Sequence, residues 1–189
     1  MAYLAQKSGS LGADVRSIRK SRGITLIEMS DKLDKSVGWM SQVERDISEP
    51  SIEELRVIAT LLDVPISIFF GQAEAHADEV GRIVRKDTRR KIGGGSIGLI
   101  EELLSPDLTD DFEMIHSVFE PNAKLPDYVT RATQEVGYMV SGQLTLWIGE
   151  KKFDLSAGDS FRIKGEPFKW ANPHAVEATV VWVIAPPVY

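Results

Sequence analysis

Gln42, Trp39 and Arg45 are the first side chains whose types and spacing point to a chemistry. In LIEMSDKLDKSVGWMSQVE, a helix that turns Met40 and Val43 inward leaves Val37, Gly38, Trp39, Ser41, Gln42 and Arg45 outward. A glutamine amide on such a face bonds bidentately to adenine N6 and N7 in a major groove. Other chemistries find less support. The chain has no cysteine, which excludes disulfides, thiolate zinc sites and thiol nucleophiles together. Its three histidines are scattered. His76 lies in a polar stretch and reads as solvated, and His174 follows Asn172 and Pro173 in a turn. His116, in FEMIHSVF, reads as a core or edge histidine bonded to a carbonyl. No Ser-His-Asp set stands out, and GGGSIG at Gly93 follows no strand and opens no helix, which argues against a nucleotide loop.

The 189 residues carry 22 Lys/Arg and 28 Asp/Glu, a formal charge of −6. The imbalance is local. Residues 1–72 are near neutral, residues 73–91 carry an excess of bases, and residues 92–189 hold 7 basic and 14 acidic side chains. Within residues 1–45, 8 basic side chains face 5 acidic ones, so a basic nucleic-acid-binding face is compatible with the acidic whole. At 43% hydrophobic the chain can build a packed core. Its longest apolar stretch, Val180 to Ala185, falls far short of the roughly 20 residues that span a bilayer. No signal-peptide run opens it, and a cytoplasmic protein is expected.

Two periodicities divide the chain. From Leu11 to Phe70 apolar residues recur at helical spacing: Val15 and Ile18, then Leu26, Met29 and Leu33, then Met40 and Val43, then Ile52, Leu55, Ile58, Ala59 and Leu62, then Ile66 and Phe69. Five short helices are expected. Thr25 with Glu28, and Ser51 with Glu54, read as capping boxes, and Ser36 is placed to cap the third helix. The stretch QAEAHADEVGRIVRKDTRRKIGGG reads as a linker. From Phe112 onward FEMIHSVF, EVGYMVSG, QLTLWIG, DSFRI, FKWA and ATVVWVI read as strands. EPNAKLPD, SGQ, GEKK, SAGD, KGEP and NPHAVE read as the turns between them.

The segment GADVRSIRKSRGITLIEMSDKLDKSVGWMSQVERDISEPSIEELRVIATLLDVPISIFF resembles the Cro/repressor, or xenobiotic-response-element-like, helix-turn-helix regulators. Ser30 sits where a small residue lets the two helices of the motif cross. The resemblance implies that Arg19 pairs with Glu44, that Ser36 caps the recognition helix near a phosphate, and that Val37, Gly38, Trp39 and Gln42 face base edges. Thr25, Leu26, Lys35 and Arg45 complete the candidate DNA contacts. Asp34 stands where the family has glycine, and Lys35 where it has an apolar residue, which makes the turn more cationic. Val37 and Gly38 donate poorly, which moves readout toward Gln42, Trp39 and DNA shape.

Residues 112 to 186 resemble the small-barrel cupins. Glu135 and Gly142 match the first cupin motif, and Gly158, Pro167 and Asn172 in GDSFRIKGEPFKWAN match the second. Metal-binding cupins use about three histidines and a glutamate. Here the histidine positions fall on Tyr128 and Thr130, or on Val129 and Arg131 with a one-residue shift, and on Phe168. Only Glu135 remains, so no metal and no cofactor are expected. Arg131, Glu135, Tyr138, Phe168 and Trp170 are the candidates for lining a cavity.

The expected fold is multidomain α and β: a five-helix lambda-repressor-like bundle over residues 9–71, a linker over 72–95, and a jelly-roll cupin over 96–189 with its barrel core at about 112–186. The expected function is that of a DNA-binding repressor, not an enzyme. It binds an inverted repeat as a homodimer, with no membrane partner, and its cupin senses a small organic effector. Alternatives are a cupin that serves only to dimerise, and a metal-dependent cupin enzyme.

Overall fold

The computed structural model describes residues 10–64, 66–69, 78–92, 97–106, 108 and 110–188. His76 and the triplet Gly93 to Gly95 lie outside them. The chain divides into two compact units, one comprising residues up to Arg90 together with Ser105–Asp110, the other Lys91–Leu104 with Asp111–Val188.

The first unit holds α1 (Leu11–Ser21), α2 (Leu26–Lys32), α3 (Val37–Val43) and α4 (Ile52–Leu62). Ser10, Thr25, Ser36 and Ser51 each cap one of these helices by accepting from a backbone N–H of its first turn, and the two expected capping boxes are both closed. The fifth helix is corrected to a single 3₁₀ turn, Ile66–Phe69. Four residues directly after a proline, two of them isoleucine, are too few to close α-helical hydrogen bonds. Val15, Ile18, Met29, Met40, Val43, Leu55, Ile58, Leu62 and Ile68 form the core.

Three αL aspartates shape the helix junctions, with Asp63 (φ 54°) capping the end of α4. Asp34 (φ 53°) turns the chain between α2 and α3, and Asp46 (φ 55°) ends the segment after α3. The Asp46 carboxylate reaches back to α1, accepting from Gly12 N at 2.7 Å and Ser10 Oγ at 2.5 Å. Gly12 is required at this contact, because a Cβ there would lie 2.3 Å from Val43 O. Part of the expected linker also packs in this unit. The buried Arg90 guanidinium meets Asp14 of α1 at 2.6 Å and donates to Ile68 O at 3.2 Å; Ser105–Asp110, inside the expected cupin bounds, also belongs to this unit, where Ser17 of α1 donates to Leu108 O.

The second unit is a β-sandwich. Its strands are β1 (Leu99–Leu103), β2 (Glu113–Phe119), β3 (Gln134–Ser141), β4 (Gln143–Ile148), β5 (Lys151–Ser156), β6 (Ser160–Lys164), β7 (Phe168–Ala171) and β8 (Ala178–Ala185). They form a five-stranded sheet in the order β1-β2-β8-β3-β6 and a three-stranded sheet in the order β5-β4-β7, with antiparallel neighbours throughout. β1 and β5 were not expected. The strand β5, KKFDLS, has mostly exposed side chains, so it lacks the hydrophobic alternation by which a half-buried strand is recognised.

Alternation on the other strands sets the interior. Ile115, Phe119, Met139, Leu144, Leu146, Ile163, Phe168, Trp170, Val180, Trp182 and Ile184 point inward. Gly137 pairs with Phe161 on one side and Trp182 on the other, whose rings meet edge to face at 4.9 Å. A Cβ at Gly137 would lie 2.2 Å from Phe161 Cζ, so only glycine admits that ring. Fully buried Asn172 ties the loops, its Nδ2 donating to Phe119 O, Glu120 O and Val176 O. Among the described residues no helix is long and apolar enough to cross a membrane.

Candidate nucleic-acid interface and barrel interior

α3 owes its orientation to a buried ion pair. Arg19 of α1 donates through Nε and Nη2 to the two carboxylate oxygens of Glu44, at 2.5 and 3.0 Å, and through Nη1 to Ile24 O at 2.7 Å. Glu44 caps the end of α3, so the bidentate fork ties the C-terminus of that helix to α1. Ser30, fully buried, donates to Leu26 O and clears the crossing of α2 and α3.

With Met40 and Val43 buried against that scaffold, Val37, Gly38, Gln42 and Arg45 are exposed and Trp39 is half-buried. Gln42 is already oriented: its Oε1 accepts from Ser48 Oγ at 3.1 Å, and an amide oxygen has a second lone pair for adenine N6. Arg45 folds back, its Nε donating to Ser41 O at 2.9 Å. A Cβ at Gly38 would meet only Ser36 Oγ, at 3.8 Å, so the intramolecular packing there does not demand glycine.

Thr25 and Lys35 are also engaged within the chain. Thr25 spends its hydroxyl and backbone N–H on Glu28, and these bonds hold the Glu28 carboxyl below its usual pKa. Leu26 is half-buried. Lys35 pairs with Glu54 at 2.6 Å and lies 5.2 Å from the Trp39 ring. That ammonium, together with the Ser51 cap, lowers the Glu54 pKa to about 2. Glu54, on α4, and Ser48, in the α3–α4 connection, were not anticipated as neighbours of this face.

In the barrel, Glu135 is buried on β3. Its Oε1 accepts from Thr133 Oγ1 at 2.8 Å and lies 3.8 Å from Arg131 Nη1. The Arg131 guanidinium is partly exposed and sits 5.9 Å from the centre of the buried Phe168 ring. Arg131, Glu135 and Phe168 are therefore brought together. Trp170 also points inward but packs edge to face on Phe119 at 4.7 Å. Tyr138 is corrected: it lies three residues from Glu135, on the opposite face of β3, and is 51% exposed. Thr133 and the buried Glu113, which accepts from Val188 N at 3.0 Å, are polar residues the sequence reading passed over. Trp182 Nε1 is buried without a hydrogen-bond partner.

A metal does not fit here. At the positions expected to carry imidazoles stand Tyr128, Thr130 and Phe168, and the remaining carboxylate faces a guanidinium. Among the described residues no group of three or more His, Cys, Asp or Glu is placed to hold a metal ion.

Comparison with known proteins agrees with this architecture. Residues 15–69 match the helix-turn-helix family and residues 115–184 the cupin domain family. The HTH-type transcriptional regulator PuuR of Escherichia coli (strain K12) is 24% identical over 167 residues, covering 87% of this chain and 88% of PuuR. The transcriptional regulator ClgR of Mycobacterium tuberculosis (strain H37Rv) is 34% identical over 87 residues, covering 46% of this chain and 78% of ClgR. The immunity repressor protein of Bacillus phage phi105 is 25% identical over 80 residues, covering 42% of this chain and 56% of that protein. The chain belongs to the helix-turn-helix transcriptional regulators and carries a cupin domain.

Proposed function

We propose that the protein is a repressor that binds an inverted-repeat operator as a homodimer and releases or grips it according to a small organic effector held in the cupin barrel. A head of this size contacts few base pairs, so two heads are needed, on half-sites about 34–36 Å apart or a multiple of that. Gln42 and Trp39 read the bases, with Ser36 and the basic side chains on phosphates. The observation that carries the effector reading is the Arg131–Glu135 pair beside Phe168, at the place where a metal-binding cupin would hold its ion. A guanidinium offers a fork to a carboxylate, a buried carboxylate attracts an ammonium group, and the aromatic ring covers apolar carbon. This chemistry suits an amino acid or an amine derivative, and it is a binding site without a catalytic group.

The test is a thermal-shift screen of amino acids, amines and small carboxylates on the full chain. A ligand at about 100 times its Kd adds roughly 2.7 kcal/mol. The hit must lose its effect in Arg131→Ala and Glu135→Ala and must change operator affinity, with DNA changing its affinity in return. The edge-to-face packing of Trp170 on Phe119 favours a second reading, in which the interior is filled and the barrel only dimerises. A screen in which no compound stabilises the protein selects that reading.

A further inference from the structure

The five-stranded sheet has an outer face, and strand register maps it rung by rung. His116, Val181 and Tyr138 lie side by side on β2, β8 and β3. Met114, Val183 and Val136 form the adjacent rung. Tyr138, Val136 and Val183 are 51%, 44% and 38% exposed. The margins of this apolar centre differ in net charge. Glu102 continues the first rung onto the edge strand β1, with Lys91 paired directly beside it, whereas Arg162 and Lys164 continue the outer face onto the opposite edge strand, β6.

We propose that this face joins two copies of the chain about a two-fold axis running along β8. Rotation about such an axis lays the strand order β1-β2-β8-β3-β6 on its own reverse, so β1 of each protomer meets β6 of the other. The apolar centre then covers itself, and the Glu102 margin faces the Arg162 and Lys164 margin at both ends of the interface. An axis laid across the strands would instead set β6 on β6, opposing the Arg162 and Lys164 margins of the two copies; the charge pattern selects the first arrangement. The area is adequate. Met114, Val136, Tyr138 and Val183, with the neighbouring Ile100 and Val140, are 36–51% exposed; together they form an apolar patch on the order of 400 Å², which the charged rim extends toward the roughly 800 Å² per partner of a standard interface.

The proposal deepens the homodimer of the proposed function and rests on it. Its test is sedimentation velocity of the full chain over a micromolar concentration range, without DNA or effector. Val183→Lys sets two ammonium groups near each other at the axis and should weaken dimerisation at least 100-fold. Tyr138→Asp, at a half-exposed position that the fold does not need, should do the same. Lys151→Glu on β5 of the other sheet should leave the dimer intact. Arg162→Glu should weaken it, and adding Glu102→Arg to that variant should restore it. A wild-type chain that sediments as a monomer would overturn both the dimer and this face. A dimer that survives Val183→Lys and Tyr138→Asp unchanged would overturn the face alone. A double variant no tighter than Arg162→Glu would overturn the axis.

Discussion

Replacing Arg19 with alanine removes three guanidinium bonds at once: two charge-assisted ones to Glu44 and one to Ile24 O. Glu44 is only 2% exposed, so its carboxylate would stay in the interior stripped of its arginine. Deleting one partner of a buried pair costs about 3–5 kcal/mol. A unit of roughly 80 residues, at about 0.05–0.15 kcal/mol per residue, holds only about 4–12 kcal/mol in total. At about 4–8 °C per kcal/mol for a small domain, the melting temperature should fall by more than about 12 °C. All four α-helices among the described residues belong to this unit, so helical circular dichroism of the full chain reads its melting. Because Glu44 ends α3, operator affinity should fall with it. Converting both partners to apolar residues, Arg19→Met with Glu44→Leu, should recover most of the loss, since neither desolvation penalty then remains. An Arg19→Ala protein that melts within about 2 °C of wild type refutes the reasoning, and so does a double variant less stable than the single one.

Gln42→Ala should relax sequence preference at one base-pair position, costing about 1–3 kcal/mol there; Ser48→Ala should loosen the same position less, as read by selection of bound duplexes. Lys35→Ala should weaken binding to all duplexes and flatten the salt slope, whereas Glu54→Gln, which releases Lys35 from its ion pair, should strengthen non-specific binding in a titration against salt. The Glu54 carboxyl lies at about 2 in the folded chain against a usual 4.5, so its contribution is present above the usual value and is lost as pH falls through about 2. Glu54→Gln should accordingly be less stable than wild type at neutral pH, with the difference vanishing at the acid end of a denaturation series. Gly12→Ala should destabilise the helical unit by about 1–3 kcal/mol in chemical denaturation, because a Cβ there drives into Val43 O. Elemental analysis of protein purified without added metal should find far less than one equivalent of iron, manganese, zinc or nickel; near-stoichiometric metal lost in Glu135→Ala would revive the enzyme reading.

The helical half was legible because its signals are local. Capping boxes at Thr25 and Ser51 span four residues each, and core positions recur at helical spacing within a helix, as Val15 with Ile18 and Leu55 with Ile58 and Leu62 do. The barrel was legible where one face of a strand is buried, as in β2 and β8. It was not legible at β5, whose side chains are mostly exposed and whose identity comes from pairing with β4. The place of Arg90 was hidden for a related reason. A basic tail reads as solvated linker until a carboxylate 76 positions earlier, Asp14, is folded beside it. At the sites, Glu135 and Phe168 could be read from motif positions, but Tyr138 could not be assigned to a cavity, because side chains alternate on a strand and an odd spacing from Glu135 puts it outside. Strand parity, applied to EVGYMVSG, would have found this.

The most direct test of the account is selection of duplex DNA by the full-length protein from a random library, with and without the stabilising effector. The account predicts enrichment of an inverted repeat whose half-sites are about 10 base pairs apart or a multiple of that, with one position in each lost in Gln42→Ala and affinity shifted by effector in wild type but not in Arg131→Ala. Enrichment of no sequence, or of one that survives Gln42→Ala unchanged, would contradict it.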